Sequence, residues 1–188
     1  MSERLPRREE IGPTLLEIAR STLEHAFDHR PPAERLEAWL REQGACFVTL
    51  NKGGELRGCI GSAVAYRPLL EDLRENTMAA AFRDPRFPPL RREELEETSL
   101  EVSLLEPLEA VTFQDEKDLV RQLRPHADGV VLECGARRGL FLPTVWSSLP
   151  EPEEFLRKLK RKAGLAEDFW SQDVRVWRFT VSSWKERG

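Results

Sequence analysis

Residues 45–60 of the chain have the sequence ACFVTLNKGGELRGCI. Residues 45–50 are rich in side chains that favour β-strands, and Asn51-Lys52-Gly53-Gly54 has the composition of a tight turn. Residues 55–60 then form the returning strand of the pattern. The stretch therefore predicts a β-hairpin, with Cys59 near the end of its second strand.

The remaining segments predict helices and strands that alternate irregularly along the chain. Apolar spacing and terminal signals predict helices at 14–29, 33–42, 68–82, 115–123 and 152–163, with Thr14 as N-cap of the first. Alternation predicts strands near 100–105 and 173–182 and a second hairpin at 130–143. No regular strand–helix–strand rhythm is present, so we expect an α+β fold with a mixed or antiparallel sheet flanked by helices. We treat 1–188 as a single domain that has room for a smaller appended lobe.

Composition narrows the classes of protein that the chain can belong to. The net charge of −4 makes nucleic acid an unlikely partner, and no run of about 18 apolar residues indicates a membrane span. The charged start, MSERLPRREE, lacks the apolar core of a signal peptide. We therefore expect a cytoplasmic protein without a membrane association.

The cysteines and basic residues add two expectations. The chain has three cysteines without CxxC spacing, which argues against a disulfide framework and a metal site and favours a reducing compartment. Only six of the 29 basic residues are lysine, and asparagine occurs only at 51 and 76. This bias is typical of heat-adapted organisms, although a GC-rich genome would produce it as well.

Cys59 is the candidate nucleophile because of its neighbours. Gly58 and Gly61 flank it in a predicted strand, where glycine marks a bulge or a close approach of backbone or ligand. Strand alternation places Arg57 and Cys59 on one face, unless a bulge at Gly58 resets the phase, and a guanidinium beside the sulfur favours the reactive thiolate. The alternative is that Cys59 is a small apolar filler, as we expect for Cys46 and Cys134.

A cysteine that acts as a nucleophile usually needs an acid or base near its sulfur. None of the three histidines lies in a motif with Cys59, so the fold must supply this group. The candidates are Glu101, Asp84 and His126, of which Glu101 is the preferred acid or base. The common nucleotide, metalloprotease and hydrolase motifs are absent from the sequence.

Two further segments carry charged residues, and each allows two interpretations. Asp84 and Arg86, within the proline-rich stretch 84–89, form either a polar clamp in the binding site or hydrogen bonds that only hold the loop. We expect this loop to pack beside the Cys59 segment, with Phe87 buried and Arg86 paired. The basic run at 157–162 is consistent with RNA binding, but its helical spacing favours a solvated helix face.

The segment LRGCIG at 56–61 resembles the signature of the AMMECR family. The resemblance continues, in order, through AAFRDPRFPPL at 80–90, LEVSLL at 100–105, DGVVL at 128–132, RGLFLP at 138–143 and KAGL at 162–165. It covers roughly residues 13–182. Thr144 and Lys160 depart from the residues that relatives commonly carry there, which are Gln and Cys.

The resemblance implies an α+β fold of two unequal lobes with the signature cysteine near a cleft between them. It also implies the prokaryotic type named AmmeMemoRadiSam system protein A, with a Memo-like protein and a radical-SAM protein as partners. The leading hypothesis is an enzyme, or an accessory subunit of one, that acts on a small-molecule substrate through Cys59, with Gly58, Gly61, Asp84 and Arg86 as binding residues. A non-catalytic adaptor module is the alternative, and RNA binding is a third. No cofactor can be identified from the sequence.

Overall fold

The computed structural model describes residues 8–29, 31, 32, 35 and 37–186 of the chain. The fold is α+β, as expected, and the chain divides into two compact units. Unit 1 comprises Met1–Leu105 and Ser182–Gly188, and unit 2 comprises Glu106–Val181. The α-helices are α1 (Arg8–Asp28), α2 (Leu69–Phe82), α3 (Glu116–Gln122) and α4 (Pro152–Lys162). The strands are β1 (Gln43–Gly44), β2 (Cys46–Lys52), β3 (Glu55–Gly61), β4 (Arg67–Pro68), β5 (Thr98–Leu105), β6 (Glu109–Ala110), β7 (Gly129–Cys134), β8 (Arg137–Phe141), β9 (Arg175–Phe179) and β10 (Val181–Lys185).

Unit 1 is built on an antiparallel sheet with the order β10-β5-β2-β3. Its central strand β2 alternates buried and half-buried residues, so that Val48 and Leu50 face the core while Thr49 faces the opposite side. Helices α1 and α2 supply the other half of this core, which includes Leu15, Ile18, Leu23, Leu73 and Ala80. The site residues of the signature segment therefore lie on an edge strand, β3, with one face against α2.

Unit 2 has its own antiparallel sheet, with the order β6-β9-β7-β8, and its own core. The first four residues of β7 are buried, and α4 packs its apolar stripe of Phe155, Leu156 and Leu159 into this core. Asp115 caps α3 by accepting a hydrogen bond from Asp118 N at 2.8 Å. The second predicted hairpin is thus confirmed as β7 and β8, and both helices of this half are confirmed.

The first two predicted helices differ from the observed ones. Thr14 is not an N-cap, since α1 begins at Arg8 and the Thr14 hydroxyl donates to Glu10 O at 3.0 Å inside the helix. Gly12 and Pro13 lie inside this helix, and Gly12 packs directly against the indole of Trp184. Within the described residues, the second helix is only a 3-10 helix, Ala38–Arg41, and the predicted residues 33, 34 and 36 lie outside them. The predicted continuation of this helix to residue 42 is wrong, because Gln43 and Gly44 form β1, which pairs with β4.

The single terminal strand predicted at 173–182 is instead two strands that belong to different units. Strand β9 pairs with β6 and β7 in unit 2, and β10 joins the sheet of unit 1. Thr180 lies between them and belongs to neither strand, and its carbonyl accepts a hydrogen bond from Glu106 N at 2.9 Å. The pattern of apolar residues continues across this break, so the sequence alone predicts one strand.

Candidate functional site

The backbone of Cys59 is held on the free edge of β3 by two side chains from the segment after α2. Asp84 Oδ2 accepts a hydrogen bond from Cys59 N at 2.9 Å, and Arg86 Nη2 donates to Cys59 O at 3.3 Å. Asp84 is 4% exposed and also binds Arg86 through Nη2 at 2.7 Å and Nε at 3.0 Å. The expected position of this loop and the pairing of Arg86 are confirmed, whereas Phe87 is half-buried rather than buried.

The electrostatics of this pair follow from its contacts. The pKa of Asp84 lies well below its ordinary range, first because Arg86 donates hydrogen bonds to it and also because Cys59 N–H does. The pKa of Arg86 is raised by its hydrogen bonds to Asp84 first and, as its smallest cause, by the negative charge of a Cys59 thiolate. Asp84 is therefore ionised at neutral pH, and its charge is balanced by the guanidinium of Arg86.

The register of β2 and β3 brings Thr49 to the sulfur. Cys59 pairs with Thr49, and both backbone groups of Cys59 point away from β2 towards Asp84 and Arg86. The pair is therefore of the non-hydrogen-bonded type, in which opposing side chains approach most closely. Thr49 Oγ1 lies 3.3 Å from Cys59 Sγ and donates a hydrogen bond to it. Such a bond stabilises negative charge on sulfur.

Glu101 lies in the same cross-strand row as Thr49 and Cys59. Thr49 is paired with Cys59 on one side and with Glu101 of β5 on the other. The three side chains consequently share the sheet face opposite α2, with the outer two about 10 Å apart at two strand spacings. Thr49 lies between the thiol and the carboxylate in this row.

A β-bulge at Arg57 determines which way Cys59 faces. The register runs Asn51 to Leu56 and then Leu50 to Gly58, so that Arg57 has no partner on β2. Without the extra residue, Cys59 would pair with Val48 and face the core. The bulge therefore turns the thiol to the outer face.

The same bulge separates Arg57 from the thiol. Arg57 shares the buried carboxylate of Glu94 with Lys52, and donates to it through Nε at 3.2 Å and Nη2 at 3.0 Å. Lys52 points to the face of the sheet opposite to that of Thr49. Arg57 therefore does not share a face with Cys59, which is the outcome expected where a bulge resets the phase. The pKa of Glu94 is lowered to about 2, first by the hydrogen bonds from Arg57 and then by that from Arg91 N. The role of Arg57 as a thiolate stabiliser stays a prediction.

The two signature glycines allow close packing on either side of Cys59. A Cβ on Gly58 would lie 2.2 Å from Ala80 O of α2, and a Cβ on Gly61 would lie 2.3 Å from the ring of Phe47. Both distances are too short for any side chain. Glycine is thus required at 58 and 61 by packing, and their expected role in binding a ligand stays a prediction.

The other two cysteines have different surroundings. Cys46 is fully buried in the core of unit 1, and its pKa is raised by burial and by the nearby charge of Asp72. Its backbone N–H and its thiol both donate to Asp72 Oδ2, at 2.9 Å and 3.5 Å. Cys134 is half-buried and packs against the core of unit 2. Cys46 is therefore the inert filler that we expected.

The remaining candidates lie in unit 2. His126 has a left-handed backbone with φ of 64° in the loop before β7. The basic run lies on α4, as expected. Lys160 is not on the solvated face that we expected for the run, because it is 1% exposed and binds Glu116 Oε1 at 2.6 Å. Among the described residues, no group of His, Cys, Asp or Glu side chains is arranged to hold a metal ion.

Two residues at the site were not identified from the sequence. No local sequence pattern places Thr49 at the site. A regular register extrapolated from the turn pairs Thr49 with Gly58, and only the bulge pairs it with Cys59. Glu94 lies in a charged segment, EELEE at 93–97, in which no pattern distinguishes the one buried carboxylate. Contact with the hairpin decides which glutamate is buried.

Comparison with known proteins places the chain among a set of similar sequences. The model of the AMMECR1 family matches residues 16–184. A protein of Methanothermobacter thermautotrophicus is 38% identical over 97% of this chain and 98% of its own length. A protein of Thermotoga maritima is 43% identical over 79% of this chain and 81% of its own. Such relatives from thermophiles are consistent with the heat-adapted composition.

The comparison extends to a solved structure. The crystal structure of the uncharacterized protein PH0010 from Pyrococcus horikoshii matches 94% of this chain and 92% of its own, with a TM-score of 0.74 and 34% identity. This similarity agrees with the α+β fold described above. In the part of the chain that the structure describes, no helix has the length and apolar character needed to cross a membrane.

Proposed function

Because the chain belongs to the AMMECR1 family, whose signature segment here carries Cys59, we propose that it is an enzyme, or an accessory subunit of one, that uses Cys59 as a nucleophile. The substrate is a small molecule with an electrophilic carbon. The observation that carries this proposal is the environment of the sulfur, which accepts a hydrogen bond from Thr49 Oγ1 at 3.3 Å. The backbone of the same residue is fixed at both its N–H and its C=O.

The proposed chemistry assigns one role to each group on the outer face of the sheet. The sulfur lone pair forms a bond to the electrophilic carbon, and the thiol gives up its proton. Water takes that proton, and Glu101, about 10 Å away in the row, passes a proton from a second water to the atom of the substrate that receives the displaced electron pair. Thr49 orients the sulfur through its hydrogen bond. The approximate 10 Å between the outer residues of the row supports a substrate that bridges them.

The test compares cysteine variants in a strain that depends on the protein. Cys59→Ser keeps the shape of the side chain but removes the thiolate, so we expect the phenotype to be lost. Glu101→Gln should reduce it strongly, and Cys134→Ser, the matched control in the other unit, should leave it intact. Variants should first be shown to have unchanged melting temperatures. A normal phenotype with Cys59→Ser would contradict the catalytic role.

A second candidate function is a binding module for the Memo-like or radical-SAM protein. The observation that favours it is an exposed apolar loop directly after the signature strand, in which Val64 is 42% and Tyr66 is 60% exposed. Exposed apolar groups of this kind frequently form protein interfaces. Replacing both Val64 and Tyr66 by Asp should abolish co-purification with either partner, while Cys59→Ser should leave it unchanged. Unaffected co-purification in the double variant would exclude this loop as the interface.

A further inference from the structure

Two guanidinium groups compete for the role of thiolate stabiliser, and their contacts differ. Arg57 is adjacent in sequence, but the bulge turns it to Glu94, which binds two of its nitrogens. Arg86 comes from a distant segment and donates to the carbonyl of Cys59 itself. Its own position is fixed by Asp84, which accepts from the Arg86 backbone N at 3.1 Å as well as from the guanidinium.

We propose that Arg86, and not Arg57, is the positioning residue that favours the thiolate form of Cys59, and that Asp84 holds it in place. This inference rests on the proposed function, because it concerns the reactivity of the same thiol. Asp84 also fixes the Cys59 backbone, so one buried carboxylate aligns both the strand and the cation. The pair thus holds a positive group 3.3 Å from the carbonyl oxygen of the residue that carries the sulfur, with its negative partner compensated.

The charges that face Cys59 can be enumerated element by element. The segment after α2 contributes Asp84 and Arg86, β5 contributes Glu101, and β2 contributes only the uncharged Thr49. On the strand of Cys59 itself, Arg57 pairs with Glu94 on the face of the sheet opposite to the thiol. Helix α2 presents backbone, at Ala80, to the neighbouring Gly58. Removal of Arg86 would therefore leave two carboxylates, Asp84 and Glu101, opposing the thiolate.

The test measures the rate of alkylation of Cys59 by iodoacetamide as a function of pH, with the full-length protein and the modified peptide quantified by mass spectrometry. Arg86→Gln should move the midpoint of the profile upward by about one pH unit, so that labelling at pH 7 slows about tenfold. Asp84→Asn keeps an oxygen that accepts from Cys59 N but removes the opposing charge, so its midpoint should move downward. Arg57→Gln is the matched control and should leave the midpoint in place.

Opposite shifts in the two variants distinguish an electrostatic role from a merely structural one. Loss of structure alone would expose the thiol and move both variants in the same direction. A profile for Arg86→Gln that superimposes on that of the unmodified protein, or an equal shift in Arg57→Gln, overturns the inference. If Arg86→Gln does not fold, Asp84→Asn alone tests the inference. A downward shift of its midpoint supports the inference, and an unchanged midpoint overturns it. A silent Cys59→Ser with these shifts intact would instead reject only the proposed function.

Discussion

Glu94 and Asp84 are the two buried carboxylates that hold the guanidinium groups near the signature cysteine. Each accepts hydrogen bonds from an arginine and from a backbone N–H. Such charge-assisted bonds are stronger than neutral ones, and removal of one partner leaves a buried charge uncompensated. The two pairs therefore act as fixed points along β3, one at the bulge and the other at the thiol.

The contribution of Glu94 to stability should depend on pH. Its folded pKa of about 2 lies below its ordinary value of 4.5, so the folded protein binds this proton less readily than the unfolded chain. The stabilisation is complete above about pH 4.5 and is lost as the pH falls towards 2. Glu94→Gln should therefore lower the free energy of unfolding at pH 7 and flatten its decline between pH 5 and 2. Urea titrations at several pH values would measure this.

The control for this prediction is Glu97→Gln. Glu97 is 66% exposed at its side chain and pairs only with Lys52 among the described ion pairs. Exposed pairs contribute little to stability, so this variant should follow the unmodified protein at every pH. Equal effects of the two substitutions on the free energy of unfolding would show that the contribution of Glu94 does not come from its burial.

At the scale of residues, the sequence predicts the identity of the site better than its geometry. Cys59 and the 84–87 loop are identified by composition and resemblance, and their proximity is confirmed by the bond between Asp84 and Cys59 N. A shared face for Arg57 and Cys59 is expected only in the absence of a bulge, and the bulged residue changes the phase of the strand. Alternation is a regular rule, and a bulge is a local exception to it that depends on packing against α2 and Glu94.

At the scale of elements, the hairpin and the helix α2 form the frame of the site. Strand β3 approaches α2 so closely that only glycine fits at 58, and the bulge is what directs this glycine to the helix. The strongly patterned elements, such as the hairpin and α4, are confirmed as predicted. The weakly patterned ones differ, because contacts such as that of Gly12 with Trp184 override local preference.

Gly58→Ala tests this frame. The new Cβ would lie 2.2 Å from Ala80 O, and since that atom is backbone, the strand or the helix must move. We expect a loss of roughly 1–3 kcal/mol in the free energy of unfolding, as is typical of overpacking. The matched control on the same strand is Leu56→Ala, where an exposed side chain is shortened and the change should stay within about 0.5 kcal/mol. A neutral Gly58→Ala would contradict the close approach.

At the scale of the whole molecule, two separate cores are built from one chain. The core of unit 1 draws on residues from α1 to Trp184, whereas every member of the other core lies within residues 111–176. Unit 2 is a continuous segment that contains all four strands of its sheet. Unit 1 is completed only when the chain returns as β10.

The two units should therefore differ in their capacity to fold as fragments. A fragment of residues 106–181 retains its whole sheet and core, so we expect it to unfold cooperatively on heating when followed by circular dichroism. A fragment of residues 1–105 lacks β10, and with it the Trp184 indole on Gly12 and the Glu186 carboxylate that binds Arg20 and Leu100 N. It should be much less stable, and a linker that restores residues 182–188 should recover cooperative unfolding. If the 106–181 fragment is unstructured, the expectation is contradicted, since the core of unit 2 would then not be sufficient for folding without the segments on either side.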